Sequence, residues 1–117
     1  MVKNYIPSQG DICYIDFNPI KGHEQSGIRP AIVISNNTFN YKTKMIIVCP
    51  ITSNEKLFPT HYVLTKTKKI KGSVLCEHVR SIDYETRNVR FIEKMTSEDF
   101  NEVIELIEIV KLWCYSH

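Results

Sequence analysis

No apolar run in the chain approaches the roughly 18 to 20 residues that a membrane-crossing helix needs, and the first residues, MVKNYIPSQGD, lack the apolar centre of a secretory signal. Membrane and exported classes fall away, and the cytoplasm is the expected compartment. No C-x-x-C pair occurs among Cys13, Cys49, Cys76 and Cys114, and no histidine stands at zinc-ligand spacing from them. Three of the four lie in apolar strand-like runs and the last on a helix, so buried reduced thiols are expected, with no disulfide, metal or cofactor. Internal repeats, low-complexity tracts and linkers are also missing. A length of 117 residues then suits one domain, 1–117, with a single fold.

What is present is an uneven distribution of charge. Residues 1–95 carry 14 Lys/Arg against 8 Asp/Glu, a net +6, whereas residues 96–117 carry Lys111 against five acids, a net −4. The acidic tail segment hides a cationic body in the overall +2, and a cationic body suits a polyanion or an acidic partner.

The turn cluster Pro7-Ser8-Gln9-Gly10 precedes a first strand, Asp11 to Phe17, and Ala31 to Ser35 reads as a short strand apolar on both faces. Met45 to Thr52 repeats that pattern around Pro50, which cannot donate to a ladder, so the strand must be an edge there or carry a bulge. His61 to Lys66, a longer Ser73 to Ile82 and a short Val89 to Ile92 complete six strands, the number of a small curved barrel or sandwich. The period then changes. Thr96-Ser97-Glu98-Asp99 supplies a cap and first-turn acids, and Phe100, Val103, Ile104, Ile107, Val110 and Cys114 share one face of a helix from about 97 to 114. Ile109 and Leu112 fall off that stripe, either as scattered surface residues or as contacts to a second subunit.

Between the first two strands lies GHEQSGIRP, too long and polar for a tight hairpin. Gly22 and Gly27 permit conformations closed to other residues, and the polar residues between them belong in an exposed, mobile loop. Pro30 pushes Arg29 toward an extended backbone, so Arg29 stands on a stiff strand start while Glu24 and Gln25 ride on the loop. A fixed guanidinium beside a loop carboxylate can serve a phosphodiester, and the same residues can also be an ordinary solvated loop. Thr52 is equally a favoured strand residue and a candidate hydroxyl beside the Pro50 irregularity. Glu77 and His78 are neighbours in a strand-like run and should point to opposite faces, so at most one of them enters a given cleft. Lys66, Lys68, Lys69 and Lys71 form a basic run, either a solvated loop or a charge that steers nucleic acid.

Taken together, PSQGDICYIDFNPIKGHEQSGIRPAIVIS, then FN, VCPITS and GSVLCEHVRSID before a C-terminal helix resemble the MazF/PemK toxins of bacterial toxin–antitoxin systems, over about residues 6–112. The resemblance implies a mainly β fold with a C-terminal α-helix, an SH3-like small barrel of the MazF/CcdB kind, and a homodimer. It implies a metal-independent endoribonuclease that cuts single-stranded RNA, mRNA included, at short sequences, and an acidic, MazE-like antitoxin that covers the RNA groove. Matched by motif, Arg29 is the arginine of G-x-R-P, Thr52 the threonine of P-x-T and Glu24 the acid of G-x-E-Q. These three are the expected catalytic residues, with Gln25, Ser53, His61, Glu77 and His78 expected to contact RNA. Leu75 and Glu77 stand where the PemK branch has an arginine and an aspartate, which favours the MazF branch. Two rivals share the barrel: a CcdB-like gyrase poison and a non-catalytic nucleic-acid-binding barrel.

Overall fold

Strands β1 (Asp11–Asp16), β2 (Ile28–Val33) and β3 (Met45–Thr52) are apolar at most positions, and because alternate side chains leave opposite faces, the three feed two cores. Ile12, Ile32, Cys49 and Ile51 join one cluster, whereas Cys13, Ile15, Ala31, Val33, Ile46 and Val48 join the other. The both-face burial read from the sequence holds. The computed structural model describes residues 5–17, 27–54 and 58–116.

Further along the chain come β4 (His61–Val63), β5 (Ser73–Leu75), β6 (Arg80–Asp83) and β7 (Arg90–Lys94). The sheet is antiparallel in the order β4-β5-β3-β2-β1-β7, with β6 also on β3. It is strongly curled but not closed, so the SH3-like barrel holds only as a loose description. The gap is bridged by a side chain: Glu93 on β7 accepts the backbone N–H groups of Lys68, Lys69 and Ile70, at 2.9, 2.8 and 2.8 Å, from the loop between β4 and β5.

Seven strands replace the six expected, because the run Ser73 to Ile82 is broken. His78 N–H donates to Leu75 O at 3.0 Å, closing a turn that separates β5 from β6. Both halves pair with β3, β6 as far as Val48 and β5 from Ile51. Pro50 sits at the handover. Ile34 N–H donates to Ile47 O and Ile47 N–H to Ser35 Oγ, so Ile47 and Cys49 direct their main-chain groups toward β2. Pro50 therefore faces the other way, where β6 has ended and β5 begun, and its missing N–H breaks no ladder bond. It marks an irregularity inside a strand paired on both sides, not an edge strand.

A helix that the sequence reading lacks, α1 (Asn37–Thr43), follows β2. Asn36 caps it by accepting Phe39 N–H at 2.8 Å, and Lys44 ends it in the left-handed region at φ 62°. Its buried Asn40 donates to Pro7 O at 2.8 Å and accepts Ser35 Oγ–H, which gives the FN pair a structural role. Helix α2 (Ser97–Ser116) begins as expected: Thr96 Oγ1 accepts Asp99 N–H at 3.2 Å, and the buried Asp99 carboxylate takes Tyr62 O–H at 2.6 Å, pinning the helix to β4.

Val103 is fully buried, with Phe100, Leu106 and Ile107 packed partly against the first core. Full burial of a side chain such as Val103 contributes about 1.5–3 kcal/mol, and the partly buried ones contribute less. Beyond Ile107 the helix leaves the core. Cys114 is exposed, contrary to expectation, and Ile109, Leu112 and Trp113 are 57%, 65% and 62% exposed. No helix among the described residues is long and apolar enough to cross a membrane.

Candidate active site

The register of β2 on β3 pairs Ala31 with Pro50, Ile32 with Cys49 and Val33 with Val48. Continued by two residues, it sets Arg29 across from Thr52, and cross-strand neighbours share a face. Arg29 and Thr52 thus extend the face of the second core to the open end of the sheet, and they line one concavity of about 260 Å³ with Phe17, Leu75, His78 and Arg80. No carboxylate is among the described residues that line it.

Arg29 is exposed at the second position of β2, with Pro30 fixing the backbone behind it. Thr52 Oγ1 accepts Asn54 N–H at 3.2 Å, a bond that uses a lone pair and leaves the hydroxyl proton to be given elsewhere. Its main chain is fixed from the far side by Gly72, at φ +134°, where a Cβ would lie 2.0 Å from Thr52 O. Arg80 lies 4.9 Å over the Phe17 ring, which places a second guanidinium at the rim.

Next to this concavity, Thr52 and Leu75 also line a smaller one of about 220 Å³ with Asn54, Phe58 and His61. The His61 ring stands 5.1 Å from that of Phe58, and its Nε2 is 3.1 Å from Glu77 Oε2. Thr60 O–H donates to Glu77 Oε1 at 2.7 Å, and His78 Nε2 is 3.6 Å from Glu77 Oε2. The opposite-face expectation for Glu77 and His78 therefore fails, because the turn at Leu75–His78 replaces strand geometry there and lets one carboxylate meet both imidazoles. Burial pushes the Glu77 carboxyl up, but the Thr60 hydroxyl, its own N–H and His61 outweigh burial and hold it below 4.5.

Of the remaining expected site residues, Ser53 lines a third concavity, which also contains Arg29, while Glu24 and Gln25 lie outside the described residues. Arg80, Phe58 and Gly72 are additions to the site. In the sequence Arg80 is only a cation within a run read as one strand, because the turn before it appears only in the structure, and Phe58 and Gly72 matter only through partners distant in sequence. Burial pushes the Cys49 and Cys76 thiols up to about 12, so neither offers a thiolate nucleophile at neutral pH. Among the described residues no cluster of His, Cys, Asp and Glu could hold a metal ion.

What the arrangement offers is two guanidiniums, a hydroxyl and two imidazoles around a groove open to solvent, which suits a phosphodiester flanked by bases. Comparison with known proteins agrees. A family model described as PemK-like, MazF-like toxin of type II toxin–antitoxin system matches residues 8–110. The endoribonuclease toxin MazF of Escherichia coli is 40% identical over 87 residues, 74% of this chain and 78% of its own length. The endoribonuclease MazF of Staphylococcus epidermidis is 35% identical over 104 residues, 84% of this chain and 82% of its own. Among solved structures, MazF (Form-I) from Deinococcus radiodurans has a TM-score of 0.82 at 32% identity, covering 92% of this chain and 97% of that one. A MazE-MazF complex (Form-II) from the same organism has a TM-score of 0.83 at 32% identity, covering 92% and 96%. The chain belongs to the family of PemK-like, MazF-like toxins of type II toxin–antitoxin systems.

Proposed function

We propose that the chain is the endoribonuclease toxin of a toxin–antitoxin pair, of the MazF branch, and that it cuts single-stranded RNA in the groove holding Arg29 and Thr52. The observation that carries the reading is the convergence of these two residues on one concavity whose described lining holds cations and no carboxylate. The 2′-hydroxyl of the RNA attacks its own adjacent phosphate, the bond to the 5′-oxygen breaks, and the products are a 2′,3′-cyclic phosphate and a 5′-hydroxyl. One proton leaves the attacking oxygen and one reaches the leaving oxygen.

Arg29 stabilises the extra negative charge of the phosphorane, and the Thr52 hydroxyl donates to a phosphate oxygen and fixes its position. Arginine keeps its proton up to about pH 12, so its electrostatic part comes before any acid part. Glu24 takes the base role. Gln25, Ser53, His61, Glu77 and His78 contact RNA bases, with Glu77 oriented by His61 and Thr60 and so able to accept from a base edge. The cationic body also suits an acidic, MazE-like antitoxin laid over the same groove, and the MazE-MazF complexes of the Deinococcus radiodurans relative support such a partner. The exposed end of α2 suits a second copy of the chain in a homodimer.

The test is incubation with long single-stranded RNA in excess EDTA, followed by sequencing of fragment ends. Cuts at a recurrent short motif with cyclic phosphate ends, lost in Arg29→Ala, are expected. Intact RNA would overturn the reading and leave a gyrase poison or a binding barrel.

A further inference from the structure

The basic run of the sequence is divided by the fold. Lys69 and Lys71 line a concavity of about 360 Å³ with Tyr14, Arg29, Ser53 and Ile70. It lies at the end of the other face of the β2–β3 pair, since Ile51 and Ile70 belong to the first core while Pro50 and Thr52 continue the second. Arg29 lines both concavities, so the two meet around the end of the sheet.

The two lysines are exposed, but their backbone is fixed. Ile70 between them is only 8% exposed and anchors the loop in the core. The Glu93 carboxylate takes three successive N–H groups from Lys68 to Ile70. Burial pushes that carboxyl up, but the three N–H donors outweigh it and hold the group below 4.5, so it remains charged near neutrality. A buried-core anchor on one side and a charged cradle on the other keep Lys69 and Lys71 beside Arg29. Tyr14 presents an aromatic ring, 38% exposed, to the same space.

We propose that the RNA path continues around the end of the sheet into this second subsite, where Lys69 and Lys71 take backbone phosphates beyond the scissile one, Tyr14 stacks on a base, and Glu93 is the positioning residue. The proposal rests on the reading that RNA occupies the Arg29 and Thr52 concavity. Lysine suits the role, because a flexible point charge follows a phosphate backbone whatever the sequence, whereas specificity is left to the groups around Glu77.

The test measures binding of single-stranded RNA with a 2′-deoxy sugar at the mapped cut site over a range of salt, beside cleavage of the all-ribose RNA. Neutralising two phosphate contacts with Lys69→Gln and Lys71→Gln together should reduce the slope of log K against log salt by about 1.4, at about 0.7 per contact. The loss of cleavage should fall on KM rather than kcat. Tyr14→Ala should weaken binding about tenfold with the salt slope unchanged, since stacking releases no counterions. Glu93→Ala should reproduce the slope change of the lysine variant. Glu93→Gln keeps an oxygen for the Lys69 and Ile70 N–H groups and should restore part of it. An unchanged slope in the double lysine variant overturns the proposal. A wild-type protein that binds but does not cut overturns the catalytic reading alone; one that binds no single-stranded RNA overturns both.

Discussion

Gly72 passes the carbonyl of Thr52 so closely that a methyl group has no room, and its φ of +134° lies in a region that other residues rarely adopt. Gly72→Ala should therefore cost at least about 1–3 kcal/mol of stability from backbone strain. It should also slow RNA cleavage by displacing Thr52. Urea unfolding and single-turnover cleavage check both parts, and wild-type values in the two would show that Thr52 does not depend on this contact. Arg29 and Thr52 stand in the sequence as the G-x-R-P and P-x-T residues, but that they face each other across two strands follows from the β2–β3 register, which no local pattern records. Gly72 was not legible, since nothing in KIKGSV shows which strand will pass over it. The expectation that Glu77 and His78 point apart fails on geometry: two adjacent residues face opposite ways on a strand but not in the turn that the chain makes there.

The loop between β4 and β5 has no regular structure of its own and depends on Glu93, a residue from the opposite end of the sheet. A carboxyl whose pKa is lowered by folding contributes stability above its unfolded value and loses it as the pH falls through the folded one. Below pH 4.5 the unfolding free energy of the wild type should thus drop more steeply than that of Glu93→Gln. Parallel curves from urea titrations would remove the stabilising part of the Glu93 cradle. Helix α2 was legible because capping and a 3.6-residue period agree over its first three turns. Its last turns have no core to face, which is why Cys114 is exposed although it continues the stripe. Helix α1 escaped notice because seven mostly polar residues give no period, and only the Asn36 cap announces them.

Seen whole, the molecule is a curled sheet with two cores, a cationic groove around one end and an apolar helix tip that the rest of the described chain leaves uncovered. A polyanion and a second copy of the chain suit these two surfaces. If α2 forms the contact between copies, Leu112→Glu and Trp113→Glu together should turn a dimer into a monomer in sedimentation at micromolar concentration. A parent that is already monomeric would contradict this. The curl was legible in the count of short strands, but the open ends were not, because pairing between β4 and β7 depends on spacing no local pattern records. The most direct measurement is single-turnover cleavage of one RNA by the wild type and Arg29→Ala, with affinity taken in parallel on the 2′-deoxy RNA. Losing one preformed charge donor at the phosphorane should slow the cut by about 10²–10³, well beyond any change in affinity. Equal rates for the two proteins would contradict an active site built on Arg29.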